Sequence, residues 1–279
     1  MALVDRLSPR TRGLLIGAGA SVLLVAIVWA LAADITGARL LASFDLKLLT
    51  GLFSLRTPGL DRLMMATSAL GDGGLRTSAT VLIVGYLLWR RRYAWAAGLA
   101  TAMIAAAILT PALKMAFHIA RPTPLYAGAE SFSFPSGHAM SAAALYILLA
   151  SIASRSMQSR GRWIAWALAG FMILLTGVSR VYVGAHWPSD VVAGWTVGSI
   201  LAIAGLMIAS GLDTKSSRES RHGPHHAGPI LACLLVVSLI LGPSAYGKAS
   251  RLYGPYLRDG VVRTAPQMGV AAVTRGAGG

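Results

Sequence analysis

The 279-residue sequence is poor in cysteine and in charged residues. It has one cysteine, Cys233, which cannot form an intrachain disulfide or build a cysteine-based metal site by itself. Only 13% of the residues are charged, and 10 acidic residues stand against 25 lysines and arginines. Hydrophobic residues make up 55% and the mean hydropathy is +0.63, which excludes an ordinary soluble domain of this size. The composition therefore predicts a membrane protein.

Long apolar runs divide the chain. A membrane-spanning helix needs about 20 mostly apolar residues, and such a segment must be helical because lipid offers the backbone no hydrogen-bond partners. Six runs fit this description: 14–33, 76–89, 93–117, 137–154, 163–180 and 189–211. The sequence predicts an all-α, polytopic membrane helix bundle with six core transmembrane helices. A shorter run at 230–246 either adds a seventh helix or is re-entrant or interfacial.

One compact bundle fits the length better than two domains. We assign residues 1–211 to the transmembrane domain, 212–229 to a polar cytoplasmic linker, and 230–279 to the extra apolar run and a basic tail. Within the first segment, leucines and Phe44 recur at helical spacing between 40 and 52, and "LDRLMMATSALG" repeats the pattern. These two stretches predict short helices along the membrane interface.

The net charge of +15 is distributed in clusters between the apolar runs. This placement favours membrane topology over nucleic-acid binding, because cytoplasmic loops carry an excess of lysine and arginine. The clusters are Arg6, Arg10 and Arg12; Arg90, Arg91 and Arg92; Arg155, Arg160 and Arg162; and Lys215, Arg218 and Arg221. With these loops in the cytoplasm, the remaining loops face the periplasm or cell exterior. We expect an integral protein of a bacterial inner (plasma) membrane.

This topology brings unusual polar residues to the outer ends of four spans. Ionisable groups at membrane depth are costly and by default indicate function. Lys114 and Arg121 close the third span; Ser136, Gly137 and His138 open the fourth; Ser179 and Arg180 close the fifth; His186 and Asp190 open the sixth. Segments distant in sequence therefore meet at one membrane face.

The fourth span begins with "FPSGH", which is typical of a helix start. Ser136 can cap the helix and Gly137 leaves the backbone approachable. Free N–H groups in a first helical turn form an anion site suited to phosphate. Lys114 and Arg121 lie two turns apart on one helix face if the third helix continues that far, and Arg180 adds a third positive charge.

The sixth span begins with "AHWPSD", in which the Asp190 carboxylate can reach back to His186. A carboxylate on Nδ1–H fixes the histidine tautomer and leaves Nε2 free to attack phosphorus. His138 can then protonate the leaving oxygen. With a single well-placed carboxylate, the set does not resemble a metal site, and we expect no metal or other cofactor.

Three segments carry a family resemblance: "KMAFHIARP" (114–122), "PSGH" (135–138) and "SRVYVGAHWPSD" (179–190). They match the pattern K-x6-RP, PSGH, SR-x5-H-x3-D, so the chain resembles the type 2 phosphatidic acid phosphatase (PAP2) superfamily over roughly residues 40–211. The resemblance implies that His186 forms a phosphohistidine, that Asp190 orients it and that His138 is the general acid. It also implies a phosphate site of Lys114, Arg121, Ser136, Gly137, Ser179 and Arg180.

The expected function is that of an integral membrane phosphatase acting, without metal, on a lipid phosphate monoester or diphosphate. The resemblance implies substrates such as undecaprenyl diphosphate, phosphatidylglycerol phosphate or phosphatidic acid. Two alternatives stay open: a lipid phosphotransferase using the same phosphohistidine, and a non-enzymatic transporter or lipid-binding protein. The expected partners are the lipid substrate and the bilayer, with no nucleic acid; the sequence indicates no protein partner.

Overall fold

The computed structural model describes residues 41–124, 131–155, 157–212 and 227–259, together with individual helical residues between 17 and 33. Within these ranges the β pairing is one isolated bridge, between Ala120 and Phe132. From residue 42 onward, the described ranges contain eight helices: α1 (Ala42–Ser54), α2 (Pro58–Leu70), α3 (Gly73–Trp89), α4 (Tyr93–Phe117), α5 (Gly137–Ser154), α6 (Ser159–Tyr182), α7 (Pro188–Leu212) and α8 (Ala227–Asp259). The all-α prediction is confirmed.

Helices α4 to α7 and residues Gly228–Leu257 of α8 are each long and apolar enough to cross a membrane. The predicted span at 76–89 is the 17-residue helix α3, whose outer side exposes large apolar side chains such as Val81. The predicted span 14–33 lies mostly outside the described residues; those described are helical, and Val28 packs beside Ala106. The polytopic membrane bundle is therefore confirmed.

The two short helices predicted before the apolar run at 76–89 are α1 and α2. Thr57 caps α2 by accepting a hydrogen bond from the Leu60 N–H, and proline follows at the first helical position. Leu49 of α1 is buried beside Phe134 and Trp187, and α2 buries methionines against α8. Both helices therefore cover the loops that carry the three sequence motifs.

Glycines let the central helices approach to backbone contact. A Cβ atom on Gly194 of α7 would stand 2.5 Å from the Ser136 carbonyl oxygen, and one on Gly198 would overlap the Met140 carbonyl oxygen of α5. Gly98 of α4 meets Gly205 of α7 in the same way. Such contacts require small residues. They fix the starts of α5 and α7 relative to each other, where the two motif histidines lie.

Helix α8 is one continuous helix of 33 residues, about 50 Å long. Near its start, Ile230 is buried with Leu99 and Leu148 in the core cluster of α3, α4 and α5. Near its end, Ala249 and Tyr253 are buried against α2 and the end of α6. The apolar run at 230–246 is thus part of a longer helix that extends from one end of the bundle to the other. The predicted linker, 212–229, is shorter than expected, because Leu212 ends α7 and residues 227–229 begin α8. Residues 213–226 and the tail beyond 259 lie outside the described residues.

Candidate active site

A cavity of about 570 Å³ lies at the end of the bundle where α4 and α6 finish and α5 and α7 begin. Six of the nine residues predicted for the site line it: Lys114, Arg121, Gly137, His138, Arg180 and His186. The other three, Ser136, Ser179 and Asp190, are fully buried behind its wall. The structure therefore brings the three motifs together around one cavity.

His186 and Asp190 are held by the first turn of α7. The Asp190 Oδ2 atom accepts a 2.8 Å hydrogen bond from the Trp187 N–H and lies 3.5 Å from His186 Nδ1. On the other side of the ring, Arg121 Nη1 is 3.2 Å from His186 Nε2. A guanidinium only donates, so this contact assigns the lone pair to Nε2 and the proton to Nδ1, facing the carboxylate. The geometry fits a nucleophile at Nε2.

The turn before His186 depends on Gly184. Its φ of +72° lies in the left-handed region that favours glycine, and a Cβ there would stand 2.9 Å from Thr123 Cγ2. The Thr123 hydroxyl donates to the Gly184 carbonyl at 2.7 Å. The Arg180 carbonyl accepts from the His186 N–H at 3.2 Å. These bonds tie the loop to both neighbouring motifs and set the direction of the histidine.

Lys114 and Arg121 reach the cavity by different routes. Helix α4 ends at Phe117 because His118 adopts a left-handed conformation with φ of 51°, so the two residues do not share one helix face. Lys114 comes from the last turn of α4, whereas Arg121 lies in the segment after it. There, Trp187 Nε1 donates to the Ala120 carbonyl at 2.9 Å and Arg121 Nη1 to the Ala185 carbonyl at 2.6 Å.

The start of α5 has the predicted cap. The Ser136 side chain accepts from the Ala139 N–H at 3.5 Å, and the Ser136 N–H donates to the Asp190 carbonyl at 3.0 Å. The second bond joins the starts of α5 and α7. Gly137 is also required for packing, since a Cβ there would stand 2.7 Å from Thr110 Cγ2. The Ser179 hydroxyl donates to the Thr176 carbonyl at 2.7 Å within α6, away from the cavity.

Sequence reasoning missed two partners of Arg180. Its Nη1 donates to the Ser68 hydroxyl of α2 and, at 2.9 Å, to the Tyr253 hydroxyl of α8. Both partners line the cavity, together with Lys248 of α8 and Arg76 of α3. The only available signal was the polar content of 246–259, a stretch excluded from the predicted core. Helix α8 is therefore part of the site wall.

We expect Tyr253→Phe to lower kcat/KM about tenfold. A hydrogen bond to a charged group contributes about 1.5–3 kcal/mol, and the remaining hydrogen bond to Ser68 still positions Arg180 in part. Tyr256→Phe is the matched control. It deletes the same hydroxyl on the same helix, where it donates to the Pro124 carbonyl at 2.8 Å outside the cavity. Equal kinetics of the two variants would show that the Arg180 contact is without catalytic effect.

Burial, the Arg121 charge and then the other nearby cations lower the pKa of His186 well below 6.5. A lowered pKa keeps the imidazole neutral at pH 7, so Nε2 keeps its lone pair. We expect its titration midpoint, followed by ¹⁵N-histidine NMR in detergent micelles, to lie below pH 6.5. His186→Gln assigns the signal. Arg121→Gln removes the largest charge contribution and should move the midpoint upward; an unchanged midpoint would contradict this account.

A second, apolar groove of about 640 Å³ adjoins the cavity. It follows one face of α5 from His138 through Ala142, Leu145 and Leu149 to Ala153, and α3, α6 and α8 form its other walls. The fifteen helical rises from His138 to Ala153 correspond to about 22 Å, most of the thickness of a bilayer core. His138 and Arg76 line both spaces, so the polar cavity and the apolar groove adjoin at these two side chains.

Comparisons with known proteins agree with this geometry. Residues 95–211 match the family model of the PAP2 superfamily. Phosphatidylglycerophosphatase B of Bacillus subtilis is 31% identical over 170 residues, which cover 59% of this chain and 80% of that protein. An undecaprenyl-diphosphatase of Sulfolobus acidocaldarius is 38% identical over 97 residues, 34% of this chain and 42% of that one.

A crystal structure of a transmembrane PAP2-type phosphatidylglycerolphosphate phosphatase from Bacillus subtilis also aligns. It has a TM-score of 0.61 and 28% identity, and the alignment covers 71% of this chain and 98% of that one. Sequence and fold therefore point to the same group of membrane enzymes. The chain belongs to the PAP2 superfamily and is a phosphoric-ester hydrolase of that family.

Proposed function

We propose that this protein hydrolyses a lipid phosphate through a phosphohistidine on His186, without a metal ion. The observation that carries the proposal is the junction at His138, where a strongly basic cavity adjoins a long apolar groove. A molecule that fills both spaces has a phosphate at one end and a hydrocarbon chain at the other. The chain enters from the bilayer, between the helices.

In the first step, the Nε2 lone pair of His186 attacks phosphorus. The N–P bond forms and the bond from phosphorus to the lipid oxygen breaks. The negative charge of the bound phosphate favours the imidazolium form of His138. The lipid oxygen takes a proton from this imidazolium, and the dephosphorylated lipid leaves. Asp190 holds the Nδ1 proton and stabilises the positive charge that develops on the ring. Lys114, Arg121 and Arg180 stabilise the charge on the phosphoryl oxygens.

In the second step, a water molecule replaces the lipid. His138, now neutral, takes a proton from the water as the oxygen attacks phosphorus. The N–P bond breaks and its electron pair returns to Nε2. Inorganic phosphate leaves, and His138 holds the proton that the next cycle requires. The sum is one water consumed for each phosphate ester cleaved.

The lining of the cavity supports chemistry without a metal. Among the described residues that line it are five cationic side chains (Arg76, Lys114, Arg121, Arg180 and Lys248) and one carboxylate, Asp72. Divalent cations are bound by carboxylates, neutral imidazoles and carbonyls. A metal cation placed here would be repelled by these side chains, of which Lys114, Arg121 and Arg180 already neutralise the reacting phosphate. The positive side chains therefore take the role that a metal has in other phosphatases.

The basic loops between the spans support an orientation with the active-site end at the periplasm or cell exterior of a bacterial inner membrane. An impermeant thiol reagent tests this orientation in cells whose protein carries Cys233→Ser and one new cysteine. We expect Gly128→Cys to be labelled and Gln158→Cys to be protected. The reverse pattern would overturn the orientation and leave the chemistry unaffected.

The test of function is release of inorganic phosphate by detergent-purified protein in the presence of EDTA. Undecaprenyl diphosphate, phosphatidylglycerol phosphate, phosphatidic acid and a lipid A phosphate are offered in parallel. EDTA-resistant release that needs His186 supports the proposal, and the best substrate names the lipid class. Transfer of phosphate to an added lipid alcohol without release would indicate a phosphotransferase. A folded protein inactive in both assays would indicate a lipid-binding or transport role.

A further inference from the structure

We propose that Arg76 binds the second phosphate of a lipid diphosphate, so that the enzyme prefers lipid diphosphates to lipid phosphate monoesters. The inference rests on the proposed function, since it assumes the phosphohistidine reaction in the cavity beside it. Arg76 belongs to none of the three sequence motifs and lies outside the segment that matches the family model, residues 95–211.

The order of groups in a lipid diphosphate matches the order of residues along the two spaces in the protein. Along a lipid diphosphate, the terminal phosphate is followed by the bridging oxygen, the inner phosphate and the chain. Along the protein, the cations around His186 are followed by His138, which protonates the leaving oxygen, and then by the apolar groove. The inner phosphate therefore falls at the junction of cavity and groove.

Arg76 stands at that junction, because it lines both the cavity and the groove. Its Nη1 atom lies 3.4 Å from the Gly71 carbonyl oxygen. Gly71 in turn packs on the general acid, since a Cβ there would stand 2.6 Å from His138 Cδ2. This chain of contacts holds the guanidinium next to the residue that meets the leaving oxygen.

The chemistry of the side chain fits a phosphate. The Arg76 guanidinium has five N–H donors in a planar fork that matches phosphate oxygens. One contact to Gly71 therefore leaves enough donors for a bidentate pair of hydrogen bonds to a phosphate. The neighbouring carboxylate, Asp72, caps α3 by accepting from the Gly74 N–H at 2.9 Å. A phosphate monoester of a diacylglycerol has neutral ester groups at this position, and these gain little from a cation.

The test compares two substrates of one chain, farnesyl diphosphate and farnesyl monophosphate, with phosphatidic acid as a second monoester. Inorganic phosphate release gives kcat/KM for wild type, Arg76→Gln and Arg76→Lys. We expect Arg76→Gln to lower kcat/KM about 10- to 100-fold for the diphosphate and less than about threefold for both monoesters. Arg76→Lys, which keeps the charge and loses the fork, should restore part of the loss.

Arg62→Gln is the matched control. Arg62 is exposed on α2, its Nε donates to the Pro58 carbonyl at 3.0 Å, and it lines neither space. Equal losses on all substrates, or none, in the Arg76 variants would overturn the subsite. A wild type inactive on every lipid phosphate would instead refute the proposed function, and the subsite with it. Gel filtration and thermal unfolding in detergent identify a variant that fails to fold, in which case Arg76→Lys decides alone.

Discussion

We expect the His186→Ala protein to lose phosphate release by about 10⁴-fold or more and to form no covalent phosphoenzyme. The side chain supplies the nucleophile, so its removal eliminates the reaction path and leaves only the electrostatic effect of the basic cavity. Its Nε2 is buried at the cavity wall beside Arg121. Among the described residues of the turn before α7, no other side chain is a nucleophile that could replace it. The measurement is ³²P incorporation from a labelled substrate, after acid-free gel electrophoresis, alongside release of inorganic phosphate.

His118→Asn is the matched control for this variant. His118 ends α4 in a left-handed conformation, which asparagine also tolerates, and its ring packs edge-on against Phe132 outside the cavity. We expect near wild-type activity. Phosphoenzyme that persists in His186→Ala would show that another residue is the nucleophile, whereas labelling that is absent in the wild type under rapid quench would favour direct attack by water.

The second large effect concerns His138. Replacement by glutamine removes the proton donor for the leaving oxygen, so we expect hydrolysis of an alkyl phosphate to slow by about 10²–10⁴-fold. An aryl phosphate such as p-nitrophenyl phosphate leaves as a stable anion and needs no proton. We therefore expect phosphorylation of His186 by the aryl substrate to remain fast in this variant, as a burst of p-nitrophenol equal to the enzyme concentration. The following hydrolysis should be slow because the base for water is missing.

The contrast between the two substrates separates catalysis from structure. His138 packs on Gly71, and a disturbance of this contact alone would slow both substrates to the same extent. Equal losses would therefore assign His138 to positioning. The pair His186→Ala and His138→Gln also divides the reaction into its two steps, since the first variant forms no intermediate and the second accumulates it.

The described parts of the site extend beyond the residues that define the family. The family model matches residues 95–211, yet α2 supplies Ser68, α3 supplies Arg76 and α8 supplies Lys248 and Tyr253. Helix α8 also forms one wall of the apolar groove, through Leu231 and Leu234 among others. The same helix thus lines both the polar cavity and the apolar groove. Under the proposed function, we expect these segments outside the motifs to influence the choice of substrate.

Much of this protein was determined by the sequence alone. Apolar runs of about 20 residues must be helical in lipid, and successive spans alternate in direction, so Lys114, His138, Arg180 and His186 had to meet at one end of the bundle. Local rules also set the Ser136 cap and the position of Asp190 in a first helical turn. These features depend on neighbours close in the chain or on the bilayer, and both can be read from residue order.

Only the tertiary structure decided which distant residues complete the site. Arg180 is separated by 112 residues from Ser68 and by 73 from Tyr253, and no periodicity specifies such pairs. Because α4 ends at Phe117, Arg121 reaches the cavity from the segment after the helix. The Ser179 hydroxyl donates to the Thr176 carbonyl within α6 and does not line the cavity. A pattern of apolar residues tells which face of a helix is buried. Which neighbour that face meets depends on how all the helices pack together.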